Sequence, residues 1–253
     1  DRAEDRHVFS KLLDKLGVDQ PAWAELTTEA AAEKAARAIG YPVLVRPSYV
    51  LSGSAMKVAP DAVSLKEFLK NAAAVSSDHP VVISKFIENA REIEIDGVAS
   101  KGNPVIYAIT EHVENAGTHS GDATVVLPPQ RTYLETIRRA KQVTKSIIKA
   151  LKITGPYNIQ FLAKDNRLQV IECNVRASRS FPFVSKVTGY NFIEIATRAM
   201  LGRDVAGDYR TLELDLVAVK SPQFSYGRIK GADPRTKVEM ASTGEGACFG
   251  DSY

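Results

Sequence analysis

The chain has 253 residues, 44% hydrophobic and 25% charged, the make-up of a globular protein with room for a sizeable core. Its formal net charge is only +3 and its basic residues are spread out, which does not indicate a nucleic-acid partner. No apolar run approaches the roughly 20 residues that span a bilayer, so no membrane partner is expected, and the charged opening DRAEDR is unlike a secretory signal, so a cytoplasmic location is expected. Residues 5–16 set Val8, Phe9, Leu12, Leu13 and Leu16 on one stripe, which predicts a helix stopped by Gly17. Thr27 or Thr28 is placed to cap a second helix through Ile39, ended by Gly40 and Pro42. Val43-Leu44-Val45 then reads as a buried strand leading into Arg46-Pro47-Ser48.

Residues 48–56, SYVLSGSAM, form a loop of small residues between two strands. Such a loop lets backbone N–H groups approach phosphate oxygens, and Arg46 just before it fits that use; a plain hairpin loop is the competing reading. The GKS or GKT of a Walker A loop is absent. Ser64-Leu65-Lys66-Glu67 predicts a capping box opening a helix to about Val75. Val81–Phe86 is the next strand; it carries Lys85 and runs out towards Glu88 and Glu92. In that arrangement the backbone and Lys85 hold a base and a carboxylate holds a ribose; surface charge is the competing reading. Residues 92–113 alternate as two strands around Lys101-Gly102-Asn103-Pro104. The stretch 112–123, HVENAGTHSGDA, is polar and holds His112 and His119. His119 and Ser120 are in reach of a phosphate, and His112 of a carboxylate or acyl phosphate, unless the loop merely caps itself.

A long amphipathic helix over 131–151 leads to YNIQFLAKDNRLQVIECNVRASR at 157–179. This stretch predicts a hairpin turning at Asp165-Asn166-Arg167, with Gln160 opposite Glu172 and Asn158 opposite Asn174. One face then carries Asn158, Gln160, Leu162, Val170, Glu172 and Asn174; Ile159, Phe161, Ala163, Ile171 and Cys173 point to the core. The polar cluster offers oxygen ligands only, the preference of a hard cation such as Mg2+. Arg176 and Arg179 follow, and guanidinium matches phosphate. Residues 190–201 predict a helix, and 212–219 alternate as a strand. Cys173 and Cys248 are far apart and expected as buried, reduced thiols; no histidine has zinc-ligand spacing. Helices alternating with hairpin pairs make an α/β chain whose sheet is at least partly antiparallel. GxGxxG, serine-hydrolase and kinase motifs are absent.

DRAEDR, GYPVLVRPSYVLSGSAM, HPVVISKFI, EHVENAGTHSGDA, NIQF and VIECNVRASRSFPFVSKVTG, in that order, resemble the carbamoyl phosphate synthetase large chain. The likeness is closer to its second, carbamate-phosphorylating half. The resemblance implies an ATP-grasp fold of the α+β kind, two subdomains enclosing Mg-ATP with mixed, largely antiparallel sheets. It implies a domain over 1–203 with a lid at roughly 42–110, and a segment 204–253 that completes the larger subdomain. Arg46 would contact phosphate, Lys85, Ile87 and Glu92 the adenosine, and Gly117, Thr118, His119 and Ser120 the nucleotide. Gln160, Glu172 and Asn174 would hold Mg2+ or Mn2+, with Gln160 and Glu172 also touching the nucleotide; K+ is a further candidate cofactor. Arg46, His112, Arg176 and Arg179 would serve catalysis, and the 48–56 loop would shut out water. The implied reaction is ATP-dependent phosphorylation of carbamate, itself drawn from bicarbonate and ammonia. Implied partners are the other halves of such a synthetase, a glutaminase, and a second copy of this chain as a homodimer. Gly246 departs from the valine expected there. Another ATP-grasp ligase or carboxylase and a non-catalytic nucleotide-binding module are the competing readings.

Overall fold

A computed structural model of the chain describes residues 2–26, 28–47, 56–75, 81–224 and 242–252. The 48–56 loop, but for Met56, and Thr27 lie outside these residues. Helix α1 (Arg6–Leu16) starts where the Asp5 carboxylate accepts from the Val8 N–H at 2.9 Å and stops at Gly17, whose φ of 64° suits a residue without a Cβ. Strand β1 (Trp23–Leu26) follows. Helix α2 (Glu29–Ile39) is capped by Thr28, whose hydroxyl accepts from Ala31 N at 3.3 Å. Strands β2 (Val43–Pro47) and β3 (Lys57–Ala59) lead to α3 (Ala62–Val75). The cap of α3 is Asp61, accepting from Ser64 N at 2.8 Å, so the helix begins earlier than a Ser64 cap would allow. Asp61 offers an ionised acceptor to free N–H groups, and Ser64 becomes an ordinary first-turn residue.

Strand β4 (Val81–Lys85) completes a four-stranded sheet in the order β1-β4-β2-β3. Its inner face packs Val43, Val45 and Ile83 against Ala32 and Ala36 of α2 and Leu65 and Leu69 of α3. The second sheet has seven strands in the order β11-β10-β7-β6-β5-β8-β9. They are β5 (Arg91–Ser100), β6 (Asn103–Asn115), β7 (Val125–Leu127), β8 (Gly155–Lys164), β9 (Arg167–Asn174), β10 (Val217–Gln223) and β11 (Gly244–Gly250). Every pairing among the described residues is antiparallel. The span 42–110 covers β2, β3, α3 and β4 of the smaller sheet and then β5 and the start of β6.

Helix α4 (Leu134–Leu151) lies with α1 on one face of the larger sheet. Phe9, Leu13, Ile147 and Ile148 meet Ile93, Ile95, Ile159 and Phe161 there. Each such side chain, fully buried, contributes ~1.5–3 kcal/mol. Helices α5 (Phe181–Thr188) and α6 (Phe192–Met200) cover part of the opposite face, over Val98, Ile106, Ala108 and Ala218. The rest of that face is polar. Cys173 is buried in the first core, whereas Cys248 on β11 is exposed.

The hairpin β8–β9 reaches the expected pairing by another route. Its turn has two residues, Asp165 and Asn166, at φ 49° and 59°. Such a turn alone would set Gln160 against Ile171. A register shift beyond Phe161–Val170 makes Ile171 the extra residue of a β-bulge and returns Glu172 to Gln160 and Asn174 to Asn158. Val170 therefore points into the core, at 1% exposure, rather than sharing the polar face, and Ile171 is only half-buried.

Candidate active site

The polar face is built on β5, whose REIEID alternation puts Glu92, Glu94 and Asp96 on one side and Ile93 and Ile95 on the other. The three carboxyls are only 4%, 0% and 0% exposed. Buried carboxyls on a central strand are costly and need partners. The register supplies them: Glu94 lies opposite Gln160 and Asp96 opposite Asn158 on β8, and these face Glu172 and Asn174 on β9. Asn158 Nδ2 donates to Glu94 at 3.1 Å and to Asp96 at 2.9 Å, and Gln160 Nε2 donates to Glu94 at 3.3 Å. Asn174 Nδ2 donates to Asn158 Oδ1 at 3.4 Å. From β6, His112 is 1% exposed, with Nε2 3.0 Å from Glu94 and Nδ1 3.9 Å from Glu92.

Burial, then repulsion from Glu94 and Glu172, pushes the Glu92 carboxyl up to about 7, against the opposing charge of His112. Burial and repulsion from Glu94 likewise push Asp96 up to about 7. Burial alone would lower His112, but Glu92 and Glu94 outweigh it and raise it to about 8. Glu94, opposed by the same burial, is held below its usual range by the hydrogen bond and charge of His112. The centre therefore sets a histidine whose proton is held by its carboxylate neighbours against Glu94, with Glu92 and Asp96 both raised well above the usual carboxylate range.

Two arginines converge on the β9 end. Burial and Arg46 lower Arg6 to about 9 against the attraction of Glu172. Burial lowers Arg46 too, while Glu172 and Glu92 oppose it. Arg6 donates to the carbonyl of Ile171, the bulge residue. The Nε atoms of Arg6 and Arg46 are buried without a partner among the described residues. A cationic pair with unused donors beside one carboxylate suits a phosphate-bearing ligand.

Of the residues expected from sequence, Arg46, Glu92, His112, Gln160, Glu172 and Asn174 fall around this centre. His119 belongs to its rim: burial lowers its imidazole, while Glu172 and Glu94 raise it. Its Nδ1 accepts from Gly121 N at 3.0 Å. Thr118 has a buried hydroxyl without a partner among the described residues, and the Ser120 carbonyl accepts from Lys220 Nζ at 3.0 Å. Gly117, at φ 115°, leaves only 3.3 Å between a would-be Cβ and the Phe86 ring, beside half-buried Ile87. Lys85 donates to the carbonyls of Gly40 at 3.0 Å and Tyr41 at 2.7 Å, which ties most of its ammonium to the smaller sheet. Arg176 and Arg179 are exposed; Arg179, with Gly121, Ser178, Ser242 and Glu245, lines a cavity of about 290 Å³.

Sequence reasoning missed Arg6, Glu94, Asp96 and Lys220. The acidic alternation of REIEID carried the signal for Glu94 and Asp96. For Arg6 nothing local does, because its acceptor lies 165 positions away.

The amide and carboxylate oxygens of Gln160, Glu172 and Asn174 fit a hard divalent cation. Each amide spends its N–H on a neighbour, and its oxygen accepts no hydrogen bond among the described residues. Solved structures with this architecture include the biotin carboxylase domain of Hydrogenobacter thermophilus 2-oxoglutarate carboxylase, described with MgADP and bicarbonate. It has a TM-score of 0.75 at 19% identity, over 87% of this chain and 50% of that one. N5-carboxyaminoimidazole synthase of Aspergillus clavatus matches with a TM-score of 0.72 at 17% identity, over 88% and 57% of the two chains. The fold is ATP-grasp, a class whose solved examples here are a carboxylase domain and a synthase. Within that class the family profile "Carbamoyl-phosphate synthase L chain, ATP binding domain" matches residues 5–207, and the chain belongs to that family.

The arginine-specific, mitochondrial carbamoyl phosphate synthase large chain of Schizosaccharomyces pombe is 59% identical over 99% of this chain and 22% of its own length. The multifunctional protein URA2 of Saccharomyces cerevisiae is 59% identical over all of this chain and 11% of its own length. The chain thus spans 22% and 11% of these two relatives, one mitochondrial and one multifunctional. No helix among the described residues is long and apolar enough to cross a membrane.

Proposed function

We propose that the chain is the module that phosphorylates carbamate with Mg-ATP, giving carbamoyl phosphate and ADP. The observation that carries this reading is the oxygen-donor trio Gln160, Glu172 and Asn174 set on adjoining strands beside Arg6 and Arg46. The preference for carbamate over bicarbonate as acceptor comes from the likeness of the segments from DRAEDR to VIECNVRASRSFPFVSKVTG to the second half of the synthetase, and the run ECNVRASRSFPFVSK argues against another ATP-grasp ligase. Gln160, Glu172 and Asn174 would hold magnesium, which supplies charge neutralisation at the phosphate oxygens. Phosphoryl transfer asks the protein mainly for position and charge. Arg6 and Arg46 offset the charge of the nucleotide phosphates, and Arg176 and Arg179 that of the transferring group. His112 holds Glu94 in place beneath them. Lys85, Ile87 and Glu92 would take the adenosine, and Gly117 to Ser120 the phosphate side.

The chain's place in a larger protein follows the relatives it matches: other synthetase domains and a source of ammonia would act beside it. Manganese would substitute for magnesium on the same oxygens, and a potassium ion would serve as a separate, monovalent cofactor. The test is ATP formation from ADP and carbamoyl phosphate with Mg2+, which needs no ammonia source. ATP formation that disappears in Glu172→Ala is expected. Mg-ADP binding without ATP formation, together with bicarbonate-dependent ATP hydrolysis, would assign bicarbonate as the acceptor instead.

A further inference from the structure

Gln160 stands between two carboxylates, Glu94 on β5 and Glu172 on β9. An ionised carboxylate only accepts, so either of them would attract the amide N–H2. If Glu172 took it, the amide nitrogen would stand where a cation needs an oxygen. The structure resolves this in one direction: Gln160 Nε2 donates to Glu94, 3.3 Å away. The second amide ligand is set the same way through one relay. Both N–H groups of Asn158 are used, one on Glu94 at 3.1 Å and one on Asp96 at 2.9 Å. Asn158 therefore has only its carbonyl left to offer, and that accepts from Asn174 Nδ2 at 3.4 Å. Glu94 is itself fixed by His112 at 3.0 Å and is fully buried, so no solvent competes for it.

We propose that Glu94 is a positioning residue for the metal site: it orients the amides of Gln160 and Asn174 so that an oxygen, and not a nitrogen, of each faces the divalent cation. Glu94 does not touch the ion in this scheme; it acts through the two amides, with Asp96 sharing the hold on Asn158. The inference rests on the assignment of Gln160, Glu172 and Asn174 as the metal ligands.

The test measures Mn2+ binding to the full chain in the presence of ADP, reading free Mn2+ by electron paramagnetic resonance. Glu94→Gln removes the acceptor-only group while keeping its size. Its expected effect is a loss of ~10–100-fold in Mn2+ affinity, the scale on which partners of metal ligands act. Affinity for metal-free ADP is expected to fall by no more than about 3-fold, because the adenosine contacts assigned to Lys85, Ile87 and Glu92 do not run through the Gln160 amide, and Glu94→Asp is expected to retain most of the Mn2+ affinity. The paired variant Glu94→Gln/Gln160→Glu exchanges donor and acceptor across the same hydrogen bond and gives the site a ligand with no nitrogen to misplace. It is expected to recover Mn2+ affinity to within about 3-fold, and it carries the test should the single variant not fold. Wild-type Mn2+ affinity in Glu94→Gln, or no recovery in the paired variant, overturns the inference. Glu172→Ala separates the two levels of the argument. If it also binds Mn2+ normally, the metal assignment fails; if it loses Mn2+ while Glu94→Gln does not, only the positioning role fails.

Discussion

His112 lies between two carboxylates shifted in opposite directions, Glu92 up and Glu94 down. Glu92 is raised by burial to about 7, and the folded state holds its proton more tightly than the unfolded chain. The stability this gives is full below the usual carboxylate range and is lost as pH rises through 7. His112, raised by its carboxylate neighbours to about 8, adds stability below its usual 6.5 that is lost as pH rises through 8. Asp96 acts in the same direction as Glu92. Unfolding free energy is therefore expected to fall between about pH 5 and 8.5, with urea titrations as the readout, and His112→Gln should flatten the upper part of that decline. At the same scale, Arg6→Ala removes a charged donor from the Ile171 carbonyl. A loss of about 1.5–3 kcal/mol is expected in urea unfolding, with a fall of at least ~10-fold in ATP formation as Glu172 loses its neighbour. The two residues differ in how far the sequence betrays them. His112 sits in a polar run that invites attention, whereas Arg6 reads as one charge in a charged opening until the fold brings it to β9.

The hairpin β8–β9 shows what pattern can and cannot settle. Its polar and apolar alternation placed Gln160 opposite Glu172. The same alternation could not distinguish a three-residue loop from a two-residue turn followed by a bulge, because both give that pairing. What differs is Ile171, and its carbonyl is the group Arg6 takes. Deleting Ile171 should leave a regular hairpin with Gln160 still facing Glu172 and a cooperative thermal transition, yet reduce ATP formation as strongly as Arg6→Ala. Asn166, at φ 59°, is the other handle: Asn166→Gly relieves a left-handed backbone and should add about 0.5–1 kcal/mol in urea unfolding without changing turnover. Helices α1, α2 and α6 were legible from a cap or a stop, and α4 from the length of its apolar stripe alone, since Tyr133 makes no side-chain cap bond. Strands β1 and β7 are four and three residues long and owe their existence to the strands beside them. Helix α5, FPFVSKVT, has eight residues, among them buried Phe181, Phe183, Val184 and Val187, too short a span to show a clear stripe.

At the scale of the molecule, one sheet carries the centre and the other brings Arg46 to it. Ligand bound to the folded chain alone stabilises it by mass action, so Mg-ADP at ~100 times its dissociation constant should add about 2.7 kcal/mol. The accompanying rise in melting temperature should vanish in Glu172→Ala. The chain spans a small part of its relatives. Ile193, Met200 and Leu201 at the end of α6 are among the exposed apolar side chains. Self-association into a dimer at high concentration is the expected outcome of light scattering, and a monomer throughout would count against it.

The bond between Arg6 and Ile171 also sets a clock. A ribosome adding ~5–20 residues each second needs roughly 8–33 s to travel the 165 positions between them. For that interval the first helix exists without the strand it anchors, and its guanidinium must remain in water. The β9 end of the centre therefore assembles late, once β9 has emerged and can settle against α1. A nascent chain paused before that point would carry Arg46, Lys85 and His112 and still be unable to complete the site.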